Sequence, residues 1–178
     1  MKKTFLMPLL TVILAAAVLL SLTFGLKGVA SANAQKEHLK MMQTILPGSE
    51  NFVLEAMGLD NNDIRSVHKG ETGYVIEVAT QGYADEIVML VGVSNDGKVK
   101  GLVVRQIHET HGLGNKALTD WVFLSQYLNT QGDAQIGENV DAITGATVTS
   151  KAITRCVNSA VAYVTGSDVD SGATSWGG

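Results

Sequence analysis

Four hydroxyl side chains, Thr144, Thr147, Thr149 and Ser150, crowd one short run together with Gly145 and Ala146. An apolar stripe follows directly at helical spacing, through Ala152, Ile153, Cys156, Val157, Ala160, Val161 and Val164. The run therefore sits where a helix begins. Free backbone N–H groups and the positive end of the helix dipole favour an anion there, and hydroxyls add hydrogen bonds. Gly145 permits close backbone approach. A purely structural role is equally open, because Ser and Thr are preferred helix caps and Thr147 or Thr149 would serve. A Thr hydroxyl is a weak nucleophile, and no base or metal-ligand set accompanies it, so chemistry at this oxygen calls for an external enzyme.

Other reactive residue types carry less. His108 and His111 stand three apart in a His-Glu-Thr-His loop that lacks the helical zinc spacing and a third ligand. Cys156, the single cysteine, excludes an internal disulfide and lies on the apolar stripe as a core residue. Trp121 and Tyr127 fit core packing at helical spacing, and Lys151 reads as a solvated lysine. The charge balance argues against a nucleic-acid partner. From Lys27 onward 11 basic residues face 17 acidic ones, a formal charge of −6, so no nucleic acid is expected.

The elements that position the hydroxyl run begin with a separate segment. Phe5 to Leu26 holds 17 apolar residues in 22 and no charge. At the helical rise it spans roughly 33 Å, the thickness of a bilayer core. Lys2 and Lys3 precede it, so the positive-inside bias puts the N-terminus in the cytoplasm and the body outside. A cleaved secretory signal is the competing reading, with Ala32-Asn33-Ala34 as a cleavage site, although the apolar stretch is long for one. Both readings export residues from about 35 onward.

Gln35 to Leu46 reads as a helix stopped by Pro47-Gly48. The segments Phe52 to Met57 and Ile64 to His68 are of undetermined type, separated by a turn-rich stretch. Thr72 to Arg105 predicts three antiparallel strands, with Asn95-Asp96-Gly97 as the turn between the last two. Glu86 to Val93 is apolar almost throughout, as a strand covered on both faces would be. Lys116 to Leu128 predicts an amphipathic helix packed on the sheet, and Asn129 to Val140 a polar connection. The fold class is α+β, a mixed or antiparallel sheet with packed helices behind one transmembrane helix. The expected organisation is a cytoplasmic N-terminus and anchor over 1–26, a helical connection over 27–47, one domain over 48–165, and a Gly/Ser-rich tail over 166–178.

Asp141-Ala-Ile-Thr144-Gly145-Ala146-Thr147-Val-Thr149 resembles the flavinylation signature of FMN-binding domains, an Asp followed by Ser/Thr-Gly-Ala-Ser/Thr-x-Thr. In that family the last Thr carries FMN through a phosphoester, which makes Thr149 the implied attachment site. Asp141, Thr144, Gly145, Ala146, Thr147 and Ser150 are the implied surroundings. His108-Glu109-Thr110-His111-Gly112-Leu113-Gly114 is similar to the family's Glu-Thr-Pro-Gly-Leu-Gly loop, with His111 in place of proline. That likeness makes Glu109, Thr110, Leu113 and Gly114 the implied ring contacts, and Trp121 or Tyr127, read above as core residues, could instead border the flavin. Asp168-Val-Asp-Ser171-Gly172-Ala173-Thr174-Ser-Trp176 repeats most of the signature, but Trp176 stands at the acceptor position and no helix follows.

The anchor and the chain length are most similar to the G subunits of Rnf-type electron-transport complexes, and the C subunits of sodium-pumping NADH:quinone oxidoreductases share the design. The resemblance implies a membrane-bound redox subunit that depends on other membrane subunits of its complex, with a flavin transferase delivering FMN from FAD. An exported FMN-binding or sensory module remains the alternative. A self-sufficient reductase is disfavoured, since the chain has no second cofactor motif.

Overall fold

The computed structural model describes residues 6–55, 63–106 and 119–167. One helix, α1, runs Leu6–Ile45. It ends where Pro47 cannot continue it and Gly48 takes a left-handed φ of 89°. The segment expected to cross a bilayer is helical from Leu6 on. Among the described residues no helix is long and apolar enough to cross a membrane, and many side chains of that stretch lie outside the described set. The chain divides into two compact units between Lys40 and Met41.

The second unit is built on a five-stranded sheet in the order β1 (Val53–Leu54), β2 (Ile64–Lys69), β3 (Gly73–Gln81), β4 (Glu86–Ser94) and β5 (Val99–Gln106). Every pairing is antiparallel. The three-strand meander expected from alternation is present as β3 to β5, and the two segments of undetermined type supply β1 and β2. Gly97, at φ 80°, closes the β4–β5 turn as the Asn-Asp-Gly triplet demands. β4 is buried from Ile87 through Ser94, as expected for a strand covered on both faces.

Alternation divides the sheet's two faces. Ile76, Val78, Ile87, Met89, Val91 and Val93 face the main core beneath the final helix. Val75 and Leu90 face the opposite way, under Met42, Ile45 and Leu46 from the end of α1. Gly92 and Gly101 let that helix end approach closely. A Cβ on Gly92 would lie 2.4 Å from the Ile45 carbonyl oxygen, and one on Gly101 2.7 Å from the Ile45 Cα.

The predicted helix over Lys116 to Leu128 is shorter in its described part. It is α2, Trp121–Ser125, because the Asp120 carboxylate accepts the amides of Val122 at 3.0 Å and Phe123 at 3.2 Å and so starts a new helix there. Phe123 and Leu124 are buried, as is Tyr127 just beyond. Trp121 departs from its expected place in the core: it is 67% exposed. The final helix, α3, runs Thr147–Thr165 and ends at Gly166, whose φ of 68° gives the left-handed cap. Arg155 holds α3 to the start of β2 through a two-point bond to Asp63, Nε–Oδ2 2.7 Å and Nη2–Oδ1 3.3 Å.

Candidate functional site

The hydroxyl run does lie at a helix start. Ile143, Thr144, Gly145 and Ala146 make a tight turn in which the Ala146 amide donates to the Ile143 carbonyl at 2.9 Å. Gly145 occupies its third position at φ 79°, a conformation that glycine adopts without steric cost. The turn delivers the chain into α3 with Ala146 as the cap residue, and no side chain caps the helix. No acidic residue stands in its first turn either. Thr147 and Thr149 are thus the first and third helical residues. The capping role open to them in the sequence is not the one they take.

The hydroxyls differ sharply in what they do. Thr144 and Thr147 are exposed. Ser150 is fully buried: its Oγ donates to the Ala146 carbonyl at 2.9 Å and accepts the Ile143 amide at 3.2 Å. Its one proton is committed, which leaves no donor for a ligand. Thr154, a turn further on, donates to the Ser150 carbonyl at 3.0 Å and meets the Tyr127 hydroxyl at 2.8 Å. Thr149 is 2% exposed, and among the described residues its hydroxyl has no hydrogen-bond partner. Its oxygen is not among the unpartnered side-chain atoms sealed from solvent, so the hydroxyl keeps a small opening to water.

Asp141 is exposed, and among the described residues its carboxylate receives no amide, so no Asx turn forms there. Its backbone amide donates to the Gln126 side-chain oxygen at 2.8 Å. Gln126 therefore holds the front of the hydroxyl run against the end of α2. Sequence reasoning gave no hint of it, nor of Asn158, whose buried amide group brackets Ala134 by accepting its N–H at 3.3 Å and donating to its carbonyl at 2.9 Å. Neither contact has a local spacing signal. Burial raises the Tyr127 hydroxyl and, more completely, the Cys156 thiol well above their ordinary pKa. Both remain protonated, and Cys156 is the core residue its position on the stripe predicts.

Glu109, Thr110, Leu113 and Gly114, with His108 and His111, fall outside the described residues, as does the repeated signature ending at Trp176. Among the described residues no group of His, Cys, Asp and Glu is placed to hold a metal.

The residues present suit a phosphate-bearing group. A helix start without cap or acid, a glycine turn before it and the Thr149 hydroxyl within its first turn offer donors that an anion could accept. The sequence profile of the FMN-binding domain matches residues 82–162, from just before β4 through nearly all of α3. The chain is 30% identical to the G subunit of the ion-translocating oxidoreductase complex of Vibrio cholerae, over 82% of each chain. It is 32% identical to the G subunit of the same name from Aliivibrio fischeri, over 90% of this chain and 89% of that one. The chain belongs to the family of G subunits of ion-translocating oxidoreductase complexes. A further family member, the G subunit of the Na(+)-translocating ferredoxin:NAD(+) oxidoreductase complex of Acetobacterium woodii, is 37% identical over 50% of this chain and 47% of its own length. In this member of the G-type family, the hydroxyl run and the uncapped start of α3 fall inside the FMN-binding match.

Proposed function

We propose that the chain is an electron-transfer subunit of an Rnf-type ion-translocating ferredoxin:NAD oxidoreductase complex, carrying FMN as a phosphoester on Thr149. The observation that carries the site is Thr149 in the uncapped first turn of α3, its hydroxyl without a hydrogen bond among the described residues and with a small opening to solvent. Esterification at that oxygen brings anionic oxygens to the first-turn N–H groups. The transferase forms the bond from Thr149 Oγ1 to the flavin-side phosphorus of FAD. The pyrophosphate bond breaks, AMP leaves, and the hydroxyl proton passes to the transferase or to solvent. Bound FMN supplies the redox chemistry. The chain's own residues do the rest: Gly145 shapes the turn, Ser150 pins it to α3 and Gln126 fixes its front.

The anchor reading has its own support. Val12, Ile13, Leu14 and Val18 are each more than half exposed, and they point to all sides of α1. An apolar helix surface left bare on every side is stable in lipid, and the positive-inside bias of Lys2 and Lys3 then sets residues 1–26 as cytoplasmic N-terminus and anchor. Residues 27–47 connect it to the FMN-binding domain over 48–165 on the external face, and 166–178 form the tail. Other membrane subunits of the complex give and receive the electrons.

The direct test is in-gel flavin fluorescence of the denatured full chain after co-expression with the transferase. Thr149→Ala abolishes the signal and Thr174→Ala keeps it. A fluorescent band from Thr149→Ala would overturn the assignment.

A further inference from the structure

Thr149 has to meet the active site of another protein, yet it is 2% exposed. The small opening at its oxygen admits water and no more. In-line displacement sets the attacking oxygen, the phosphorus and the leaving AMP on one line, with the transferase around all three. The reacting Oγ1 therefore belongs to a form of the chain in which the residues about Thr149 have moved. What can move is bounded on both sides. Before the hydroxyl run, Val140 is buried, and Asn139 ties its turn through the Gln135 amide at 2.7 Å and the Asp133 carbonyl at 2.8 Å. After it, Thr154 donates to the Ser150 carbonyl at 3.0 Å and meets the buried Tyr127 hydroxyl at 2.8 Å. Between these fixed points, among the described residues, two side chains supply the main hold on residues 141–149. The Asp141 amide donates to Gln126 at 2.8 Å and the Ile143 amide to Ser150 at 3.2 Å, while the Ala146 carbonyl accepts the Ser150 amide and hydroxyl, both at 2.9 Å. Ile143 adds a partly buried apolar contact to the main core. No side-chain cap reinforces the helix start.

We infer that residues 141–149 open as a unit to present Thr149 to the transferase, and that Gln126 and Ser150 are the latches that hold them closed. The inference rests on the proposed attachment at Thr149. Local openings of this kind arise in the least stable parts of a fold, and an uncapped first turn is such a part. From Ser150 onward α3 stays docked through Thr154 and its apolar stripe. In the open form Oγ1 bonds to the flavin-side phosphorus of FAD as the pyrophosphate bond breaks, AMP leaves, and the hydroxyl proton passes to the transferase or to solvent. The latches take no part in that exchange of bonds. They set the fraction of chains ready for it, so weakening a latch speeds transfer. Gln126 is the cleaner latch to test, because it reaches the segment from the end of α2 and stands outside the hydroxyl run.

The test takes the full chain made without the transferase, adds transferase, FAD and Mg²⁺, and follows covalent flavin by fluorescence of the denatured chain over time. A wild type that gains no covalent flavin, or a Thr149→Ala chain that gains it, would sink the Thr149 reading by itself. Given attachment at Thr149, Gln126→Met removes the acceptor at nearly constant side-chain length and should raise kcat/KM for transfer by about 2- to 10-fold, the range that one hydrogen bond spans. Gln126→Glu keeps an acceptor oxygen and should match wild type. Gly92→Ala weakens the whole domain from the opposite face of the sheet and should leave the rate unchanged. Transfer that is unchanged or slower in Gln126→Met overturns the latch. Equal acceleration in Gly92→Ala overturns local opening, since the reactive form is then the globally unfolded chain. Hydrogen exchange of the unflavinylated chain supplies a readout without the transferase. The Ile143 amide bonds Ser150 and not Gln126, so a segment that opens as one unit should let it exchange about 2- to 10-fold faster in Gln126→Met. Exchange at Ile143 equal to wild type overturns the proposal.

Discussion

Two neighbouring hydroxyls at the start of α3, Thr149 and Ser150, should respond in opposite ways to loss of their oxygen. Ser150→Ala removes the acceptor of the Ile143 amide, while the Ala146 carbonyl keeps its bond from the Ser150 backbone amide at 2.9 Å. One part-buried N–H is left without a partner, which costs about 1–3 kcal/mol, offset by roughly 0.5 kcal/mol from alanine's better helix propensity. The net loss of about 0.5–2.5 kcal/mol corresponds to a Tm lower by about 2–10 °C for a domain of this size. Thr149→Ala is different. Its hydroxyl has no partner to strand among the described residues, and the buried methyl it loses, about 0.8 kcal/mol, is nearly balanced by helix propensity. The assay is thermal unfolding of the full chain made without the transferase, paired with in-gel flavin fluorescence of the chain made with it. Ser150→Ala should melt earlier yet keep covalent flavin at permissive temperature; Thr149→Ala should melt like wild type and carry none. A Ser150→Ala chain with wild-type Tm and no flavin would refute the division of labour, as would a Thr149→Ala chain that melts many degrees early.

Gly92→Ala drives a Cβ into the Ile45 carbonyl at 2.4 Å, a backbone atom that cannot swing aside, so denaturant unfolding should show a loss of about 1–3 kcal/mol with the m-value unchanged. Asp96, in the β4–β5 turn, is held at about 2 by hydrogen bonds first from Ser94 and then from Lys98. A carboxylate depressed in the folded state contributes stability above its unfolded pKa near 4, and this contribution is lost as pH falls through about 2. Titration followed at the Asp96 carboxyl carbon should place its midpoint near 2, and Ser94→Ala should move it upward. The flavinylated chain should be more stable than the unflavinylated one. The phosphate gains the helix dipole and charge-assisted bonds from first-turn amides, about 1–3 kcal/mol together, and equal Tm values would contradict that contact.

Legibility from sequence tracked how local the determining contact was. β3, β4 and β5 announce themselves through alternation and a turn triplet that needs glycine. β2 does not, because its register shifts between Ile64 and Ser66 and the irregularity breaks its period of two. Helical spacing from Leu118 to Leu128 reads as one amphipathic stripe, yet the Asp120 carboxylate starts a helix at Trp121 and turns the tryptophan outward. The start of α3 was legible because the apolar stripe begins there. Its cap was not, because cap preferences favour the threonines over Ala146, and the glycine turn places Ala146 at the boundary all the same. Gln126 and Asn158 depend on partners 15 and 24 residues away and leave no periodic trace.

The buried hydroxyls of α3 separate structure from chemistry more clearly than the motif does. Four are buried: Thr149, Ser150, Thr154 and Ser159. Ser150 and Thr154 each bond a carbonyl one turn back, which is how a helix accommodates a hydroxyl in an apolar setting. Ser159 reaches the Asp63 carboxylate at 3.5 Å. Thr149 stands apart, because the carbonyl four residues earlier belongs to Gly145, in a left-handed turn before the helix begins. The turn that frees the first amides of α3 for an anion thereby also denies Thr149 the back-bond available to residues further along. A hydroxyl without a back-bond and first-turn amides without carbonyl partners thus arise from one local conformation, and the proposed phosphoester at Thr149 would draw on both. Gly145 matters to the site for this reason, beyond the space it makes for a ligand.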